Sequence, residues 1–161
     1  MLAAAEPHTV HGVILAATFV TSPHASLACL RFAVCPPLVA AFRLARRLPV
    51  WLMRSRDDPL RIAKRETWSR VSAHVLAARA RSVLHADTRE TLGRCRQPVL
   101  SLTYAADDVV PARCSAAIGR HCPHARHVAL PGSHFAMFTD PGATVAEVVR
   151  FIEVDCAPLR V

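Results

Sequence analysis

Glycine is scarce in this chain, at 5 of 161 residues, while hydrophobic residues make up 52%. Those proportions exclude a disordered segment and fit one packed, largely helical globule with a core of its own. Lysine is scarcer still, since Lys64 is the single lysine among 20 basic residues. Arginine in place of lysine, with abundant alanine and histidine, is what a GC-rich coding sequence produces. Aromatics reach only 6%. The arginines are scattered, with no dense run and little aromatic interleaving. No nucleic-acid partner is therefore expected, despite a formal net charge of +8.

No two of the six cysteines, at 29, 35, 95, 114, 122 and 156, stand in C-x-x-C spacing. They are expected to be reduced thiols packed as small apolar groups. His121-Cys122-Pro123-His124 and His127 form a local cluster of donors, but their spacing matches no zinc template, so no metal is expected. The opening M-L-A-A-A-E-P lacks the basic start of a targeting signal. The long uncharged run from Pro7 to Leu30 is interrupted by three histidines and Pro23, which makes it a poor membrane span. A cytoplasmic protein without a membrane partner is the expectation.

Along the chain, Met1 to Glu6 has the look of the last turns of a helix stopped by Pro7. Val10 to Val20 is apolar without alternation, the pattern of a strand buried on both faces of a parallel sheet. From Ala25 to Leu92 only helical patterns appear. Leu27 to Val34 is a short apolar segment ended by Pro36-Pro37. Leu38 to Leu48 places Val39, Phe42 and Leu44 on one side and Arg43 elsewhere. Asp57-Asp58-Pro59 starts a longer helix with Trp68, Val71, Val75 and Leu76 on one face.

The stretch from Gln97 to His134 organises the rest. Val99 to Leu102 forms a strand-like run, with Asp107 and Asp108 just past its end. A short helix over Ala112 to Cys122 supplies the crossover to a second strand, His127 to Leu130, which ends in Pro131-Gly132 with His134 beyond. An acid after one strand and a histidine after the next fall along one edge of a parallel sheet, where reactive groups collect. Asp140-Pro141 opens a last helix, whose stripe Val145, Val148, Val149, Ile152 is expected to pack on the sheet. Ala157 onward is a tail.

P-V-L-x-L at Pro98 to Leu102, D-x-x-V-P at Asp107 to Pro111 and L-P-G-x-H at Leu130 to His134, followed by an amphipathic helix, resemble the C-terminal part of an α/β-hydrolase. The resemblance implies an α/β fold with about three parallel strands, flanking helices and a helical cap. The corresponding division is residues 1–20 for a helix end and the first core strand, 21–92 for the cap, and 93–161 for the rest of the core. It implies Asp107 as the acid, with Asp108 as the fallback, and His134 as the base. Tyr104 stands where the family usually has glycine. Carboxylic esters or related acyl compounds are the implied substrates, with no cofactor.

The triad chemistry of that family needs a nucleophile on a strained turn, G-x-S-x-G, upstream of the acid. That motif occurs nowhere in the 161 residues. Cys29 and Cys35 fall on cap helices and are poor replacements. The expectation is a chain truncated before residue 1, inactive as it stands. The competing expectation is a non-catalytic remnant, or a binding protein that pairs with another chain or with its own copy through an exposed strand edge.

Overall fold

Val99, Leu100, Ser101 and Leu102 are all buried, and a strand with no exposed face belongs in the middle of a parallel sheet. A computed structural model, which describes residues 9–23, 33–45 and 59–156, places them at the start of β2 (Val99–Ala106). Met1 to Glu6, Cys29 and the tail from Ala157 lie outside the described residues. The sheet has three strands in the order β1-β2-β3, both pairings parallel. β1 is Val13–Ala16 and β3 is Arg126–Ser133. Val13 faces Val99 in one ladder, and Leu100 faces Arg126 in the other.

β1 is shorter than its apolar run suggests. Only four residues of Val10 to Val20 are strand, because Ala17 turns to φ +44°, the left-handed region, while its amide still donates to the Leu102 carbonyl at 3.0 Å. Nor is β1 buried on both faces, since Ile14 is 39% exposed. Among the described residues no strand lies along its outer side. β3 is longer than expected and runs on through Pro131-Gly132. An edge strand accepts a proline, which has no N–H to donate.

Each face of the sheet carries its own core. On one face, helices that we label in chain order bring α5 (Ala112–His121) over Val99, with Ile118, Cys122, Leu92 and Val20. On the other, α7 (Gly142–Val154) lays Phe151 against Leu100, Leu102, Tyr104 and Leu130. The short α4 (Arg89–Gly93) and α6 (Ala136–Thr139) bury Leu92 and Ala136. Pro141 already has helical dihedrals, φ −73° and ψ −14°, ahead of the first helical residue of α7.

The expected face of α7 is corrected by the structure. Val145, Val149 and Ile152 are 54%, 45% and 53% exposed, and Val148 is the one member of that stripe that packs on the sheet. The buried residues are Thr144 and Phe151. They share an arc with Val148 at i, i+4 and i+7, rotated away from the valines on a helix of about 3.6 residues per turn. Two interactions decide the rotation. Phe151 removes more apolar surface from water than a valine can. The Thr144 hydroxyl shares a 2.9 Å hydrogen bond with the buried hydroxyl of Tyr104. Arg126, on β3, reaches Glu147 at 3.4 Å and Asp155 at 3.5 Å and holds the same side of the helix down.

Contacts divide the chain into two units: Met1–Pro23 with Asp87–Val161, and His24–Ala86. The ends of the first unit are clamped where the chain leaves and returns. Thr88 N–H donates to the Val20 carbonyl at 2.8 Å, and Thr21 and Asp87 form an isolated antiparallel bridge.

The second unit is helical: α1 (Pro36–Ala45), α2 (Pro59–Arg70) and α3 (Ala73–Leu84), with α1 packed on α3. Pro36-Pro37 open α1, as first-turn prolines do. The longer helix expected from Pro59 is broken at Ser72, which has ψ 154° and caps α3 by accepting from the Val75 amide at 3.3 Å. On α1, Phe42 and Leu44 are exposed, whereas Arg43 turns in and donates to the Val71 carbonyl at 2.8 Å. The unit's one buried hydrophobic residue among those described is Ala77. No described helix is long and apolar enough to cross a membrane.

Tyr104→Phe removes a hydroxyl whose partner, Thr144, is itself buried. We expect a loss of about 1–3 kcal/mol. Urea unfolding should show a lower midpoint with an unchanged slope.

Candidate active site

At the end of β2 the chain turns on its own acid. The Asp107 amide donates to the Tyr104 carbonyl at 3.1 Å. The Asp107 carboxylate then accepts through Oδ1 from the amides of Val109 (2.9 Å) and Val110 (2.8 Å). This is the local turn that aspartate forms with backbone two and three residues ahead. Pro111 follows in extended geometry, φ −59° and ψ 150°, and leads into α5. The aspartate, the two amides and the proline thus fix one another. Tyr104 keeps its place beneath the turn, with its ring buried and its carbonyl holding Asp107.

His134 comes to the same edge from β3. Gly132 has φ +108°, and a Cβ there would lie 2.7 Å from Cβ of Ala136. Only glycine fits that bend without displacing α6. The His134 ring rests edge-on against Phe135, with centroids 5.0 Å apart at 89°. Its Nδ1 lies 2.9 Å from Oδ2 of Asp107. The side chains are 22% and 5% exposed for His134 and Asp107 respectively. Asp107 is therefore the acid that meets the histidine. Asp108 is exposed on the neighbouring turn.

Burial pushes the Asp107 carboxyl up. The Val110 amide, the His134 ring and the Val109 amide together outweigh burial, so the carboxyl is held below its ordinary range. An ionised carboxylate only accepts, so Nδ1 of His134 carries the proton of this contact. In the neutral ring, Nε2 is then the basic nitrogen. It makes no hydrogen bond among the described residues. Behind the acid lies a cavity of about 220 Å³, bordered by Asp107, Thr18, Thr103, Ser115 and Ala129. The strained residue Ala17 stands at its margin.

The other candidate residues are engaged elsewhere. His124 Nε2 lies 3.1 Å from the Gln97 carbonyl, and His127 Nδ1 lies 3.4 Å from Oγ of Ser115. No group of three or more potential metal ligands gathers among the described residues. The five described cysteines, 35, 95, 114, 122 and 156, are free thiols. Burial pushes the thiols of Cys114, Cys122 and Cys156 up, away from the reactive thiolate. Cys35 is exposed at the start of α1. Sequence reasoning missed the Val109 and Val110 amides as the holders of the acid, because backbone donors carry no residue signature.

Two measurements test this geometry. Because folded Asp107 sits below its ordinary value of 3.8, its ionised form stabilises the fold. That contribution is complete above 3.8 and disappears as the pH falls through the lower folded value. Asp107→Asn should therefore flatten the acid limb of stability against pH. Asp87, held down to about 2 by its hydrogen bond to Arg89, titrates alike in both proteins. Gly132→Ala should cost about 1–3 kcal/mol, from a positive φ and a close contact. Its melting temperature should fall accordingly.

Comparison with known proteins follows the same geometry. No family model matches the sequence, and no curated protein matches it. Solved structures do. A hydrolase from Pseudomonas aeruginosa PA01 is 25% identical with a TM-score of 0.72, over 94% of this chain and 58% of that one. The enol-lactonase from Burkholderia xenovorans LB400 is 21% identical with a TM-score of 0.65, over 94% and 60%. A thermophilic esterase from Thermogutta terrifontis is 22% identical with a TM-score of 0.64, over 91% and 57%. The chain spans about three-fifths of the length of these proteins. In its parallel strand order and in the run of its helices, the chain is related to the α/β-hydrolase superfamily.

Proposed function

We propose that Asp107 and His134 are the acid and base of a serine hydrolase acting on carboxylic esters or related acyl compounds. The observation that carries this reading is the 2.9 Å contact between His134 Nδ1 and the Asp107 carboxylate, which leaves Nε2 as the basic nitrogen. In the proposed cycle, Nε2 takes the proton of a serine hydroxyl as its oxygen attacks the acyl carbon. The histidine then gives that proton to the departing alcohol, and water repeats the sequence on the acyl-enzyme. Asp107 holds the ring in one tautomer and stabilises its cationic form. The likeness to a lactonase and an esterase supports the acyl-substrate class. No metal and no cofactor enter this reading.

The serine is assigned to sequence upstream of Met1, since no G-x-S-x-G occurs in the chain. Oxyanion donors belong to the same upstream region, one of them beside the nucleophile. For the 161 residues alone, a serine-reactive phosphonate should label nothing, and a chromogenic short-chain ester should turn over no faster than in buffer. Extending the chain by its in-frame upstream codons should bring a G-x-S-x-G, labelling and turnover, all of the turnover lost in His134→Ala. Stoichiometric labelling of the short chain would overturn the assignment of the serine. An in-frame stop codon upstream with no such motif would overturn the enzyme reading for this chain. The half-covered β1 favours a second reading, an interaction protein that works through that edge. Ester hydrolysis by a monomer would sink it.

A further inference from the structure

Backbone amides hold the Asp107 carboxylate to its turn, but the turn as a whole needs a separate anchor. The ladder between β2 and β3 shifts register between Tyr104 and Ala106, so strand pairing alone does not fix the chain where it reaches the acid. From Asp107 onward the backbone is one closed piece. The Val109 and Val110 amides bond back to the carboxylate. After Pro111, the Cys114 amide closes the first turn of α5 on the Pro111 carbonyl at 2.8 Å. Arg113 stands in that first turn. Its guanidinium donates to the carbonyl of Pro23, 90 residues earlier in the chain.

Pro23 is a firm attachment point. It is buried and ends the short segment that follows β1, which is itself pinned. The Val20 carbonyl accepts from the Thr88 amide at 2.8 Å and from the Thr88 hydroxyl at 3.2 Å. Thr21 bridges to Asp87, and Ala17, at the head of the segment, donates to the Leu102 carbonyl. A charged donor with planar, directed N–H groups thus ties the first turn of α5 to a segment that β2 and the start of α4 already hold. The acid turn has a fixed point on each side, the Tyr104 carbonyl at its entry and Arg113 at its exit.

We propose that Arg113 is a positioning residue of the Asp107–His134 pair. Its bond to the Pro23 carbonyl sets where the acid turn sits, and so keeps the Asp107 carboxylate 2.9 Å from Nδ1 of His134. A turn displaced by about 1 Å would stretch that contact beyond hydrogen-bonding range. The imidazole would then lose the partner that selects its tautomer. This inference rests on the reading of Asp107 and His134 as acid and base, and it concerns how the two are aligned.

The tautomer of His134 tests this in the 161-residue chain, with no turnover required. Long-range nitrogen–proton NMR at about pH 8, above the ordinary imidazole range, reports which ring nitrogen carries the proton. The signals are assigned by their absence in His134→Gln. In the unchanged chain the proton should sit on Nδ1. Arg113→Met keeps the apolar stem and removes the donor. In it the Nδ1–H form should be lost or become the minor form, with unchanged circular dichroism. Arg113→Lys keeps a cationic donor and should retain the Nδ1–H form. Arg120→Ala removes the same charge from the last turn of α5 and should retain it too. An Nδ1–H signal in Arg113→Met as strong as in the unchanged chain overturns the proposal. So does a loss shared by Arg113→Lys or Arg120→Ala. An Arg113→Met chain that no longer folds also overturns it, since the bond would then hold the core and not the pair. Asp107→Asn tests the underlying reading separately, because an asparagine amide donates to Nδ1 and moves the proton to Nε2. Persistence of the Nδ1–H form in Asp107→Asn refutes the pair itself. Its loss there, with retention in Arg113→Met, refutes the role of Arg113 alone.

Discussion

The parallel pairing of β2 with β3 is the constraint on which the rest of this structure depends. Parallel strands end at the same edge, so the residues that follow them emerge side by side whatever their separation in sequence. Asp107 and His134 are 27 residues apart. Register carries Leu100 opposite Arg126 at one end and Ala106 opposite Ser133 at the other, with a local irregularity between Tyr104 and Ala106. A slip of one residue would reverse every side chain of β3 and move the histidine off the acid. The crossover through α5 keeps the two strands parallel, and Ile118 and Cys122 anchor that helix to the sheet.

The carboxylate that the edge presents is held by many donors, not by one strong pair. The Val109 and Val110 amides occupy one oxygen and His134 the other. Burial alone would favour the protonated acid, but the donors reverse that preference. The carboxylate is thereby kept ionised and aimed at the imidazole of His134. On the opposite face, Phe151 and the Tyr104–Thr144 hydroxyl pair fix the rotation of α7. The same rotation leaves Val145, Val149 and Ile152 outward.

Much of the site was legible because its signals are local. D-x-x-V-P closes a turn through contacts two and three residues apart. The L-P-G-x-H segment names its own bend through Gly132. β2, α5 and the start of α7 lie within a residue or a few of where apolar runs and prolines place them. The preference for Asp107 over Asp108 has the same local basis, since the amides of Val109 and Val110 take hold of the Asp107 carboxylate.

By itself, then, the sequence determined the order of the elements, the strand character of Val99 to Leu102 and the approach of an acid and a histidine to one sheet edge. These follow from backbone periodicity and turn chemistry, which act over a few residues. Only the tertiary structure decided which arc of α7 is buried, how far β1 extends, and that the helix from Pro59 breaks at Ser72. A helix with two apolar arcs buries the one whose opposite surface has room for a phenylalanine and a partner for a threonine. A strand keeps both faces covered only where helices pack above and below it, as they do over β2. Those opposing surfaces come from parts of the chain far away in sequence, and no local pattern encodes them.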